Sequence, residues 1–427
     1  MAEGQSVRPY RVLRHADFRL LWSAEILSMV GSQVQKIAIT WQVYELTEDA
    51  FKLGLLGLCR FVPVILFGIA GGVVADRGDR RQTLVLAQSI LLLFSLILAF
   101  LTIAGSITLF AIYAITVLAA TVEGVSNPTR QALIPLLVPK SEFPAASTMN
   151  ILAFQLSMIA GPALGGVIIA ASGVAAAYLL DALSFTAVIA SVLLMKTRPP
   201  RVVVNIGGFA AAIEGLRFMR VTPVLMGVML ADFVATLFGA STTLMPIFAE
   251  DVLGVGPQGL GLLLSAPAAG AVIVASILSL ARLPDRAGLS IMIAIVIYGA
   301  CMMGFGWSTN FMLSLAFLAG SGAADVLSAT LRHATRTLVT PDDLRGRVAA
   351  VHRTLAVGGP QLGEFRAGVT ATFVGAGPAV AFGGLATMVS AAAVSFLLPA
   401  ICRYRFSHPS PTADRGDLVT SATRSAE

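Results

Sequence analysis

The sequence predicts an all-α integral membrane protein: twelve transmembrane helices in two pseudo-symmetric six-helix bundles. Three observations carry the prediction. Hydrophobic residues make up 56% of the 427 and charged residues only 12%, too few charges to cover a soluble surface. The apolar residues gather into runs of about 20, enough for a helix to cross the ~30 Å hydrocarbon core while bonding its own backbone where lipid offers no partner. The second half of the chain also repeats the first. No β-barrel alternation is present.

Residues 1–17 are polar and basic, lack a cleavable signal pattern, and read as a cytoplasmic segment. Span 1 covers 18–43; Glu25 and Lys36 inside it mark a mature helix rather than a leader. Spans 2 to 6 fall near 53–75, 83–104, 107–130, 145–170 and 175–195, closing a first bundle over 18–195. The longest polar connection, 196–220, contains TRPPR at 197–201 and reads as a cytoplasmic central loop. Spans 7 to 12 follow near 221–249, 259–281, 288–307, 311–331, 348–373 and 378–400, making a second bundle over 221–400. The tail, 401–427, is rich in Ser, Thr, Pro and charge, a composition expected to be disordered.

Charge sets the orientation. Of the 29 lysines and arginines, 24 fall on the side of the termini, while Lys52 faces the other side with Glu45, Glu48, Asp49, Glu250 and Asp251. Positive charge is retained on the cytoplasmic side, so both termini are expected inside a bacterial-type cytoplasmic (inner) membrane. The net charge of +6 is then topology and calls for no nucleic-acid partner. Cys59, Cys301 and Cys402 show neither pairing nor metal-ligand spacing. GVGPQG at 254–259 fits a dinucleotide pattern, but no strand precedes it.

The repeat is explicit. RQALIPLLVP (130–139) aligns with RHATRTLVTP (332–341) at an offset of 202, which also pairs Glu123 with Asp325 and Ser126 with Ser328. GPALGG at 161–166 matches GPQLGE at 359–364, where Glu364 replaces Gly166. A second offset, 207, pairs Ala24-Glu25 with Ala231-Asp232. Six-helix halves repeated in one orientation belong to alternating-access transporters, with the site between the halves.

GGVVADRGDRR at 71–81, with HADFRLLW (15–22), NPTRQALIP (127–135) and LRGRV (344–348), resembles the major facilitator superfamily over residues 15–400. The likeness is to the branch of enterobactin exporters, macrolide efflux pumps and drug:proton antiporters. Gly72, Asp76, Arg77, Asp79, Arg80 and Arg81 match the superfamily's gating loop, except that Asp79 stands where a second glycine is usual. The resemblance implies that Asp76 docks near the start of span 11, around Arg345–Arg347, and closes the cytoplasmic side. GPALGG resembles the kinked motif of exporters: Pro162 breaks a backbone bond, while Gly161, Gly165 and Gly166 permit close packing. Gly359 and Pro360 are the second-half counterparts.

Ionisable groups in a membrane are functional candidates by default. Glu25, Glu123, Asp232 and Asp325 lie on spans 1, 4, 7 and 10, which line the central cavity in the resembled fold. Lys36 lies three turns beyond Glu25, with Gln33 on an adjoining stripe. Glu25 and Asp232 read as cavity residues; Glu123 and Asp325 are open between cavity and inner gate. Asp181 reads as a structural residue of span 6. Glu364 is open between a proton or substrate site and a structural pair. Arg366, about 200° around the helix from it, needs a different partner.

The expected function is secondary-active efflux of amphipathic small molecules, a drug, macrolide or siderophore, by proton-coupled antiport. A lysophospholipid or metabolite carrier without strict coupling, and a non-transporting sensor or scaffold, remain alternatives. No P-loop, nucleophile–base pair or metal-ligand set emerges, so no enzyme, cofactor or metal is expected; a monomer energised by the proton gradient is.

Overall fold

The computed structural model describes residues 9–77, 79–133, 136–197, 209–281 and 283–406, with the backbone alone over 9–10, 64–65, 67–77, 125, 128, 131–132 and 209–213. All regular structure among them is helical. The first bundle is built from α1 (Ala16–Thr47), α2 (Ala50–Arg77), α3 (Arg80–Ile103), α4 (Leu109–Leu133) and α5 (Phe143–Leu194). α5 holds spans 5 and 6, joined at Gly173 with φ 76° and ψ 173°, a conformation open to glycine and strained for other residues. The short helix α6 (Phe209–Val221) precedes the second bundle of α7 (Pro223–Gly239), α8 (Met245–Ile247), α9 (Gly256–Leu280), α10 (Ala287–Trp307), α11 (Phe311–Val339), α12 (Arg345–Val374) and α13 (Ala376–Leu397), and α14 (Pro399–Arg403) ends the described chain.

Seven described stretches are individually long and apolar enough to cross a membrane, Lys140–Leu194 counting once although it holds two spans. α1 is less apolar because Ser28, Ser32, Gln33, Gln35 and Lys36 interrupt it. Span 7 is discontinuous: α7 stops at Gly239, and Thr242–Leu244, α8 and a π-turn at Phe248–Val252 carry the chain onward. The GVGPQG stretch is a turn and helix start, with Gly254 and Gly256 at positive φ.

Two expectations need correction. The central loop carries α6, docked on α12: Glu214 pairs with Arg347, and a Cβ added at Gly215 would meet the Arg347 carbonyl carbon at 2.9 Å. The tail is ordered as far as 406, since Ile401 is fully buried and the Phe406 N–H donates to the Asp285 carbonyl. Residues 407–427 lie outside the described residues.

An even number of spans puts the chain ends on one face, here the termini face. On that face the cores are separate. One cluster around Phe18, Leu84, Leu133 and Val192 belongs to the first bundle; others around Ile291 and Leu331, and around Met219 and Val348, belong to the second. Toward the opposite face a single core joins both bundles, from Val34 and Tyr178 to Phe248, Phe305 and Ala367. Two seams close there, α2 on α12 and α5 on α9. A Cβ at Gly54 would lie 2.9 Å from Gly368 Cα, and one at Gly166 would lie 3.0 Å from Gly261 Cα; small residues allow backbones this close. The Tyr44 hydroxyl donates to Asp251 Oδ1 at 2.6 Å, tying span 1 to span 7.

Candidate functional site

The repeated sequences fold into repeated ion pairs. Glu25 on α1 meets Arg130 on α4 at 3.2 Å, and Asp232 on α7 meets Arg332 on α11 at 2.9 Å. Arg332 also reaches Asp325 at 3.4 Å and donates to Ser328 at 2.7 Å. Glu25 and Asp232 are 3% and 8% exposed. A buried carboxylate needs a partner of this kind, because desolvation without one costs several kcal/mol. Counting Arg130 and Arg332 as loop charges overlooked this. The two offsets, 202 for the arginines and 207 for the carboxylates, contained the pairing.

The second-half site is the richer of the two. His352 Nδ1 lies 3.7 Å from Asp232 Oδ2, and a cavity of about 50 Å³ is lined by Thr236, Tyr298, Asp325, Ser328 and Arg332, space for a few waters. His352 was not singled out by the sequence, since its partner is 120 residues away and no motif links them. In the first half a much smaller void adjoins Glu25 beside Trp22 and Asn150.

Between the bundles lies a further group. Lys36 is exposed, yet its charged neighbours are Glu123 of α4, Arg60 of α2, Glu364 of α12 and Asp181 of α5. Charged groups from both bundles therefore act on this one exposed lysine. Glu123 is half-buried, while Asp325, with about half of its side chain exposed, lines the second-half cavity. Gln33 turns aside toward Met158. Asp181 is fully buried and accepts from the Ser95 hydroxyl, which in turn accepts from Gln35, at 2.6 Å each.

The GPALGG and GPQLGE stretches perform matching packing tasks. Gly165 meets Val34 of α1 and Gly166 meets α9; Gly359 and Gly363 meet Thr236 of α7, while Glu364 meets Gly57 of α2. Pro162 and Pro360 lie inside their helices. Glu364 accepts from the Thr242 hydroxyl. Arg366 turns away to the carbonyls of Leu237 and Phe238 at 3.2 and 2.7 Å, holding the broken end of span 7.

In the gating loop, Asp79 caps α3 by accepting from the Arg81 N–H at 2.9 Å, so the departure from glycine supplies an N-cap. Arg80 is buried, and Arg81 donates to the Leu193 carbonyl at 2.6 Å. The side chains of Gly72, Asp76 and Arg77, and with them the docking of Asp76, lie outside the described residues. Of its expected partners, Arg347 pairs with Glu214 and Arg345 with Asp342.

Against this geometry, residues 7–410 match the profile of a family described as transmembrane secretion effectors. The chain belongs to that family, within the major facilitator superfamily. It is 23% identical over 406 residues to the enterobactin exporter EntS of Escherichia coli O157:H7, covering 94% of this chain and 96% of the relative. The same exporter from Citrobacter koseri is 24% identical over 95% and 96%. Among solved structures, the fold is similar to a bacterial homolog of the human lysosomal transporter Spinster in an inward-facing, unoccupied conformation: TM-score 0.69, 16% identity, 93% of this chain and 99% of that one. A bacterial ferroportin homologue in an inward-facing state gives 0.70, 13%, 90% and 98%. The secretion-effector chain is thus a multi-pass membrane transporter with the twelve-helix, two-bundle architecture.

Proposed function

We propose that this transporter exports amphipathic small molecules in exchange for protons, with both termini in the cytoplasm and the central space open to that side. The observation that carries the reading is the duplicated carboxylate–arginine pair, Glu25–Arg130 and Asp232–Arg332, set between helices 1 and 4 of each half. Protonating either carboxylate releases its arginine. An arginine freed in a low-dielectric site seeks another anion, and Arg332 already has Asp325 within reach. Proton binding is thereby converted into side-chain rearrangement on the helices that border the cavity. Exchange then requires that proton and substrate prefer different bundle arrangements, since a ligand shifts an equilibrium only by its differential affinity.

The enterobactin exporters among its relatives support a catecholate siderophore as one substrate to try, with a macrolide and a cationic dye beside it. The test is purified protein in liposomes under an imposed pH gradient, reading substrate and proton movement together. Coupled movement lost in Glu25→Gln or Asp232→Asn is the expected result. Substrate movement that ignores the pH gradient would replace exchange with simple carriage.

A further inference from the structure

We infer that the second-half cavity takes the ammonium end of an amphipathic substrate, with Asp325 as its counter-ion. The inference names the charge of the exported molecule; it deepens the export reading and rests on it for its place in transport.

The cavity exists because Ala235, Ala294 and Ala324 leave about 50 Å³ between α7, α10 and α11, well above the ~10–15 Å³ that one water needs. Its polar wall is rich in acceptors. The Asp325 side chain is 56% exposed and pairs with Arg332 through Oδ1 alone; Oδ2 has no hydrogen bond among the described residues. The Thr236 hydroxyl directs its hydrogen to the carbonyls of Asp232 and Phe233, 2.9 and 3.0 Å away, which leaves its oxygen as an acceptor. Tyr298, half-buried on α10, also lines the cavity and lies against Gly239, where α7 ends. Among the described residues its hydroxyl has no hydrogen-bond partner, whereas a tyrosine withdrawn from water ordinarily finds one.

Charge selects the ligand. Arg332 is the one cation on the described wall, and it is shared: Asp232 holds it at 2.9 Å, against 3.4 Å for Asp325. The next cation along α11, Arg336, is turned to His333 Nδ1 at 2.9 Å, and His352 of α12 lies beside Asp232. Asp325 is therefore only partly compensated. It repels an anion. A protonated amine brings one positive charge and donors without an acceptor, which is what this wall lacks.

The duplication supports the same ligand independently. Glu123 is the repeat counterpart of Asp325, and the chain gives it an ammonium of its own: the foremost charged neighbour of Lys36 is Glu123. Carried into the second half by the offset that relates Glu25 to Asp232, position 36 becomes Thr243. The second half thus keeps the carboxylate, omits the lysine and has a cavity. A substrate amine there completes what Lys36 completes in the first half. Arg332 and that amine are rivals for Asp325, so a guanidinium swinging fully onto Asp325 expels the ligand.

The experiment uses full-length protein in lipid nanodiscs at about pH 7, where an alkylamine is charged. It is titrated with dansylcadaverine, an amphipathic primary amine, and with the N-acetyl derivative, which keeps the apolar body and loses the charge. Dansyl anisotropy reads the affinities against empty nanodiscs. The wild type should prefer the amine by at least about tenfold, the weight of one charge-assisted hydrogen bond, and Asp325→Asn should abolish the preference. Tyr298→Phe removes only a hydroxyl and should weaken the amine about 2–12-fold while leaving the acetylated probe as it was. Equal affinities for the two probes in the wild type, or an amine preference that survives Asp325→Asn, would overturn the inference. If Asp325→Asn abolishes the preference but liposome flux of the amine ignores an imposed pH gradient, the amine site stands and the exchange reading falls. If the wild type shows no amine preference yet moves a catecholate siderophore in exchange for protons, exchange stands and the cavity has no part in choosing the substrate.

Discussion

A single methyl group at Gly166 probes the closed face of the transporter. In Gly166→Ala the new Cβ runs into the Pro257 carbonyl and sits 3.0 Å from both Cα and N of Gly261. Every one of these atoms belongs to the backbone of α9, so no side chain can swing aside, and the clash is relieved only by moving α5 and α9 apart. Overpacking by one carbon costs about 1–3 kcal/mol. Because the strain exists only while the seam is closed, it acts on the conformational equilibrium, favouring the separated state by about 5–150-fold. Gly124→Ala is the control, since a Cβ there meets nothing within 4 Å. Distance distributions from a spin or dye pair across the opposite-face ends of α5 and α9 read the populations directly. Equal populations in the Gly166→Ala and Gly124→Ala proteins would refute a tight seam and with it the argument that glycine is required there.

Further outcomes follow from other contacts. Arg332→Met strands Asp232 in a site that exposes only 11% of its side chain; about 3–5 kcal/mol of stability should be lost, read as a lower melting temperature, with Arg332→Met/Asp232→Leu regaining part of it. Tyr44→Phe removes the bond to Asp251 across the closed face and should favour separation about 2–12-fold, from the ~0.5–1.5 kcal/mol of one hydrogen bond; an unshifted dye-pair distribution would show that the bond contributes nothing. Asp17, at the start of α1, accepts from the Thr197 hydroxyl and from the N–H groups of Thr197 and Lys196, and these hold its carboxyl below the ordinary aspartate value. A depressed folded value means the tether is fully present above the unfolded pKa and is lost as pH falls through the folded one. Protection of the 196–197 amides, taken relative to their intrinsic exchange at each pH, should therefore fall on acidification in the wild type, while Asp17→Asn shows the same low protection throughout.

The membrane class, the twelve spans and the duplication were legible because they are properties of composition and spacing. The carboxylates Glu25, Asp232 and Asp325 were legible for a similar reason: an acid in an apolar run stands out whatever it touches. Their arginines were not. A count of basic residues records the end of a helix at which Arg130 and Arg332 lie, and says nothing of a long side chain turning back into the bundle. His352 was hidden because its neighbour comes from another helix. α6 escaped notice since thirteen residues beside TRPPR give too weak a periodic signal against loop composition. Asp79 looked like a defect in a glycine motif, yet it caps the helix that follows. Glu364 was visible as a broken repeat, but its position at a seam required knowing that Gly57 lies opposite.

The clasp at the beginning of the chain has a consequence for biosynthesis. Arg14 and His15 bind Glu142, and Asp17 binds Thr197, so residues ahead of span 1 are secured by residues translated much later but before the second bundle. At about 5–20 residues per second, the second bundle over 221–400 takes roughly 9–36 s more to be made. The leading half can fasten itself shut during that interval, before its twin exists to compete for its helices. Two halves so alike in sequence would otherwise be free to exchange spans. Fastening the first one early offers a kinetic means of keeping them distinct.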